Sequence, residues 1–259
     1  MAAYERALGV RIEASATDLG DDGPLLAAAA DLVTAIGLRH GGLASIGVAR
    51  AQWDWARSVL DRGSKDRAAV ATVGAAARLA DRLGWCLGEI GQIARAKAAY
   101  RDALALTEHD PGLRTMVMID SASLEVDRGD ARIAVDMLAA LPAGNPALEF
   151  SACGVLARAH AKIGEVSACL AHVERADAAW SEVDLRDLPL WIRPYASGHR
   201  GHADHAAGKA LFELTRRGHG ELADRAAERL HAAAGAFGPE RARAVERCRV
   251  RLLSLARRL

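Results

Sequence analysis

Three histidines, His199, His202 and His205, recur at i, i+3 and i+6 around Arg200-Gly201 and Asp204, a pattern from which a metal site can be built. On a helix the first two share a face, the third has rotated out of line, and Asp204 points elsewhere, whereas zinc needs three or four convergent ligands. The expectation is therefore histidines that pack or meet solvent, with no metal and no cofactor. Cys86, Cys153, Cys169 and Cys248 lie far apart among apolar neighbours, without a C-x-x-C pair. They read as buried, reduced thiols. Acid pairs such as Glu108 with Asp110 and Asp184 with Asp187 fall in turns, where capping and solvation explain them. No G-x-S-x-G, H-E-x-x-H or glycine-rich phosphate loop is present. The chain reads as a protein without chemistry of its own, and a metal-assisted enzyme using the histidine trio stands as the third-ranked alternative.

The elements that position these residues are legible in composition and punctuation. Of 259 residues 51% are apolar and 26% charged, a globular balance, while aromatics are only 4% and alanine supplies much of the apolar share. An Ala/Leu/Val core suits helix against helix. With 34 basic and 33 acidic residues the formal net charge is +1, which gives no bulk electrostatic case for nucleic acid or an acidic membrane. No run reaches 18 uncharged apolar residues, and Met1-Ala2-Ala3-Tyr4-Glu5-Arg6 does not read as a signal peptide, so a cytoplasmic protein is expected. Ser15 to Gly23 is a polar turn run, Gly41-Gly42 separates two helices, and Gly63-Ser64-Lys65-Asp66 ends the second. Apolar spacing predicts helices over Leu25 to Leu38, Leu43 to Leu60, Ala68 to Glu89 and Ile93 to Leu106, then onward, with no strand. Of Trp53 and Trp55, only one can face the core.

Helix, glycine turn, helix then recurs. The turns Gly91-Gln92, Gly129-Asp130, Gly164-Glu165 and Gly218-His219 are spaced near the 34-residue period of tetratricopeptide repeats, the last interval being lengthened by an insertion. In the first unit Gly84 and Ala96 fall where paired helices cross, with Tyr100 filling the gap to the next unit. The later units are degenerate: Ala134 and Leu138, then Cys169 and Val173, then Ala223 and Ala227 take the corresponding places. The insertion, Trp180 to Gly198, holds Leu188-Pro189-Leu190-Trp191-Ile192-Arg193-Pro194-Tyr195, whose two prolines preclude a continuous helix. The expected fold is all-α: a right-handed array of antiparallel helix pairs, no sheet, with residues 1–64 as an N-terminal helical segment and 65–259 as the array. Glu240 to Leu259 reads as a capping helix.

Such an array binds on the concave face made by the first helix of each unit. That places Arg78, Asp81 and Trp85 there from the first unit, and Met116, Ile119 and Ser123 from the second. Ser151, Gly154 and Arg158 follow from the third, and His205, Gly208 and Phe212 from the fourth. Arg78 and Arg158 suit a carboxylate, Trp85 and Phe212 supply apolar contact, and Trp191 and Tyr195 would close one end of the wall. The expected partner is a protein, a peptide or a small organic ligand, with no direct nucleic-acid contact and no membrane; a homodimer stays open.

The run Leu79-Ala80-Asp81-Arg82-Leu83-Gly84-Trp85, then Gly91, Ala96 and Ala98-Ala99-Tyr100-Arg101-Asp102-Ala103-Leu104, resembles the C-terminal regions of actinobacterial helix-turn-helix regulators. Ala157 to Glu165, and Trp191, Tyr195 and Gly198-His199-Arg200-Gly201, look like that family's following elements. The resemblance covers about residues 65 to 245. It implies a degenerate tetratricopeptide array that serves as the sensory or interaction part of a transcriptional regulator. Met1 to Gly9 looks like the segment closing the DNA-binding domain of such regulators, so the chain would begin just after the DNA reader. A free-standing adaptor is the second reading.

Overall fold

A computed structural model describes residues 22–62, 67–139, 141, 145–184 and 201–257. Among them there are eleven α-helices and no strand. The helices are α1 (Gly23–His40), α2 (Gly42–Arg62), α3 (Arg67–Glu89), α4 (Ile93–Ala105), α5 (Pro111–Arg128) and α6 (Ala131–Ala139). They continue with α7 (Pro146–Ile163), α8 (Val166–Ser181), α9 (Gly201–Arg216), α10 (Ala223–Ala236) and α11 (Ala242–Ala256), with short 3-10 turns at Gly220–Leu222 and Pro239–Arg241. No helix of the described residues is long and apolar enough to cross a membrane.

The boundaries follow local chemistry. Asp110 accepts a hydrogen bond from the Leu113 amide at 2.8 Å and Asn145 one from the Ala147 amide at 2.8 Å, and a proline follows each cap at the first helical position. Gly91, Gly164 and Gly218 take positive φ where their helices end, while Gly129 does not. Trp53 is buried and Trp55 lies half-buried at the edge of the same cluster. Trp180 belongs to α8 and packs against Phe150, with ring centroids 4.9 Å apart and the planes tilted by 59°, so the helix runs further than the expected start of the insertion. Trp191 and Tyr195 lie outside the described residues.

The packing order is simple. Each odd-numbered helix touches the next odd-numbered one, from α1 through α3, α5, α7 and α9 to α11, and α11 returns to touch α1. The even-numbered helices α2, α4, α6, α8 and α10 each pack on the two odd-numbered helices flanking them in sequence, outside this inner ring. The C-terminal helix therefore does more than cover the end of an array, as the sequence suggests; it joins the last helix to the first. α1 and α2 share one apolar cluster with α3, α4 and one face of α5. Further clusters fill the space between α5, α6 and α7 and between α7, α8, α9, α10 and α11.

Alanine dominates these interfaces: Ala30, Ala49, Ala76, Ala80, Ala96, Ala103, Ala134 and Ala159 are fully buried. Small residues let helix axes approach closely. At Gly84 on α3 a β-carbon would stand 2.9 Å from Cε1 of Tyr100 on α4, so the tyrosine ring covers this position within the helix pair. Replacing Gly84 with Leu is expected to overpack α3 against α4 and to cost about 1–3 kcal/mol. Urea unfolding of Gly84→Leu beside the wild type checks this, and an unchanged midpoint at unchanged slope contradicts the contact.

Candidate functional site

A cavity of about 220 Å³ lies between the inner helices. Thr34 and Leu38 of α1, Trp85 and Glu89 of α3, Asp120 of α5, His205 and Lys209 of α9, and Arg247 of α11 all face it. Trp85 spans the gap to α1, where a β-carbon on Gly37 would come within 2.6 Å of the indole. Phe237 closes another side, and His202 and His205 meet its ring edge-on at 5.1 and 5.7 Å between centroids. His202 also contacts Arg241 at 3.2 Å through Nε2, which makes that nitrogen the acceptor and the imidazole neutral.

Ion pairs tie successive inner helices together around this space. Arg78 of α3 pairs with Asp31 of α1, Arg82 of α3 with Asp120 of α5, and Arg158 of α7 with Asp127 of α5, while Arg158 also donates to Ser123 at 3.3 Å. Arg247 of α11 pairs with Glu89 of α3 across the closing seam. Asp81 and Asp120 share Arg82, which reaches Asp81 through Nε at 3.0 Å and Nη2 at 2.5 Å. Asp81 is only 4% exposed, and its Oδ1 has no hydrogen-bond partner. Burial pushes its carboxyl up to about 7; Arg82 opposes the rise and Asp120 adds to it.

Of the residues assigned from sequence to the concave face, Trp85 and His205 line the cavity. Asp81 touches it only through Arg82. Arg158, 7% exposed, and Ser123 sit beside it in their own hydrogen-bonded cluster. Arg78 is spent on Asp31 away from the cavity. Met116 lies in the apolar cluster between α5, α6 and α7, because α5 is covered on that face. Phe212 borders a separate shallow groove between α9 and α11, with the guanidiniums of Arg216 and Arg251 each 5.9 Å from its ring centroid. Sequence reasoning passed over Lys209, Arg243 and Arg247. The arginines at 243, 247 and 251 have i, i+4, i+8 spacing, one face of α11, and that was the available signal.

A larger and more apolar cleft of about 650 Å³ opens between α5, α6, α7 and α8. There Arg175 pairs with Glu149 and His160 with Glu165. His172 stacks on His160 at 5.1 Å, and burial lowers its pKa to about 4, which keeps the ring neutral as a packing group. No group of three His, Cys, Asp or Glu converges on a metal position among the described residues, and His199 lies outside them. All four cysteines are free and buried, Cys86 lying 3.1 Å from the Ser45 hydroxyl. Comparison with protein-family models, with curated proteins and with solved structures finds no match to this chain.

The raised Asp81 pKa carries a signed consequence. Between its ordinary value of 3.8 and about 7 the native protein keeps a proton that the unfolded chain has lost, so this group's contribution to stability falls as pH rises through that window. Asp81→Asn is therefore expected to gain stability relative to the wild type between about pH 5 and about pH 8. Urea unfolding of both proteins at the two pH values measures it. A stability gap that does not move with pH contradicts the buried, strained carboxylate.

Proposed function

We propose that the chain is a non-catalytic binding module whose ligand sits inside the ring. The observation that carries this reading is the cavity itself, where Trp85 and Phe237 supply apolar walls and the lining residues His205 and Arg243 each hold a buried nitrogen with no hydrogen-bond partner. The ring favours a small molecule over an extended peptide, since α11 closes the groove along which a peptide would lie.

The tetratricopeptide-like reading of the array belongs to the same proposal. Its support is that the small residues the repeat register assigns to helix crossings, Ala96, Ala134, Cys169 and Ala223, are all buried. Combined with the resemblance to helix-turn-helix regulators, the module is the sensory region of a transcriptional regulator, with no nucleic-acid contact of its own. The interior would then carry the signal, and an outer face or the ends would pass it on.

Filling the chamber tests the assignment. Ala244 lines the cavity from α11 and is only half-buried, so Ala244→Phe should occupy the space at little cost to the fold. In thermal melts against a panel of small organic acids, sugars, amino acids and nucleosides, a ligand that stabilises the wild type should lose its effect on Ala244→Phe. The expected rise follows the mass-action gain of about 2.7 kcal/mol at 100-fold excess over Kd. A ligand that stabilises both proteins equally would place the binding surface outside the ring.

A further inference from the structure

Charge in the chamber is unbalanced, and the imbalance is concentrated at one place. Among the described residues, Arg82, Lys209, Arg243 and Arg247 line it together with two carboxylates, Asp120 and Glu89. Those two are already engaged, Asp120 by Arg82 and Glu89 by Arg247. Arg243 reaches Glu246 outside the chamber through Nη1, and its Nε is buried with no partner. Among the described residues no carboxylate pairs with the Lys209 ammonium, and Lys209 shares α9 with His205, whose Nε2 is buried without a hydrogen-bond partner.

The surroundings of Lys209 explain why an ammonium is out of place there. Burial is the main cause that drives its pKa well below the lysine range, and Arg158 of α7 and Arg251 and Arg247 of α11 add to it. Asp127 of α5 opposes them, but that carboxylate is already paired with Arg158. Arg251 is itself without an acidic partner among the described residues and hydrogen-bonds the Arg247 carbonyl at 3.2 Å. A buried cation with no counter-charge is costly, and so is a buried nitrogen with no partner. Such groups recur where a ligand supplies what the fold withholds.

We infer that the chamber is an anion site, taking a small carboxylate or phosphate whose oxygens are met by the Lys209 ammonium, the His205 ring and the guanidinium of Arg243. The inference rests on the chamber being the ligand site, as proposed above, and adds the class of ligand. Cavity size limits the occupant to a small anion, with Trp85 and Phe237 left to hold any apolar part. Phosphate and carboxylate share the recognising chemistry, charge-assisted hydrogen bonds from fixed donors.

Calorimetric titration of the full chain with inorganic phosphate, succinate and citrate, each at ionic strength held constant with sodium chloride, separates the outcomes. At least one anion should bind saturably at one site per chain. Lys209→Met should weaken it by about ten-fold to a hundred-fold, the range for one charge-assisted hydrogen bond, and Lys209→Gln provides a second variant. Arg216→Ala, on the outer groove, should bind as the wild type does. Without anion, Lys209→Met should melt higher than the wild type, because it removes an amine that the fold leaves desolvated beside Arg158, Arg251 and Arg247. Equal affinity in Lys209→Met and wild type, equal stabilisation by chloride, or no saturable binding of any of the three anions overturns the assignment. A neutral panel compound that stabilises wild type and Lys209→Met alike, but not Ala244→Phe, would overturn the anion class while keeping the chamber as the ligand site.

Discussion

The contact of α11 with α1 and α3 decides what kind of molecule this is. Without it, five inner helices in sequence would leave an open groove; with it, they enclose a chamber. The seam is narrow and polar. Arg247 pairs with Glu89, 158 residues away in the chain, and the Arg243 side chain lies against Gly41, where a β-carbon would stand 3.1 Å from its Nε. Position 41 has φ +88°, so any other residue would be strained there and would also press on that arginine. Exposed ion pairs contribute little to stability, so the seam is a place where closure is specified rather than strongly driven.

The inward charges follow from the same geometry. Helices that touch through alanine pack tightly side to side, but a ring of six leaves an axis that alanine side chains cannot reach. A sequence with 4% aromatic residues has few large apolar groups to send there. Arginine and lysine fill the gap with their long stems and carry their charges into it. Once inside, those charges need partners, and Asp120 supplies one to Arg82 while the half-exposed Asp127 pairs with Arg158. Buried pairs of this kind fix which helices face one another more than they add stability, since desolvation offsets most of the attraction. Lys209 is where that pairing stops.

Helix positions were legible in the sequence because they depend on neighbours. Gly41-Gly42 divides α1 from α2 as the glycine pair suggested, and the turn glycines at 91, 164 and 218 end their helices. The interior positions of Trp85 and His205 followed from helical phase. What sequence could not give was the long-range geometry. Met116 has the same repeat phase as Arg78, yet α6 and α7 cover its face and turn it into core. Arg78 itself is claimed by Asp31 from a helix that the repeat register did not include. The arginine stripe at 243, 247 and 251 is visible as spacing, but it becomes a wall only when α11 folds back onto the first helices, and that is a property of the whole ring.

The seam and the unbalanced charge share residues, and this couples fold to occupancy. Arg243 and Arg247 belong to α11, Lys209 and His205 to α9, and Glu89 and Trp85 to α3, so both sides of the closure line the chamber. Binding energy gained there is gained only by the closed ring and adds to the weak polar seam. An occupied chamber therefore holds α11 against α1 and α3 more firmly than an empty one, by as much as the ligand prefers the closed form. On the proposed reading, the helix that completes the chamber is also the one that a bound anion would hold in place.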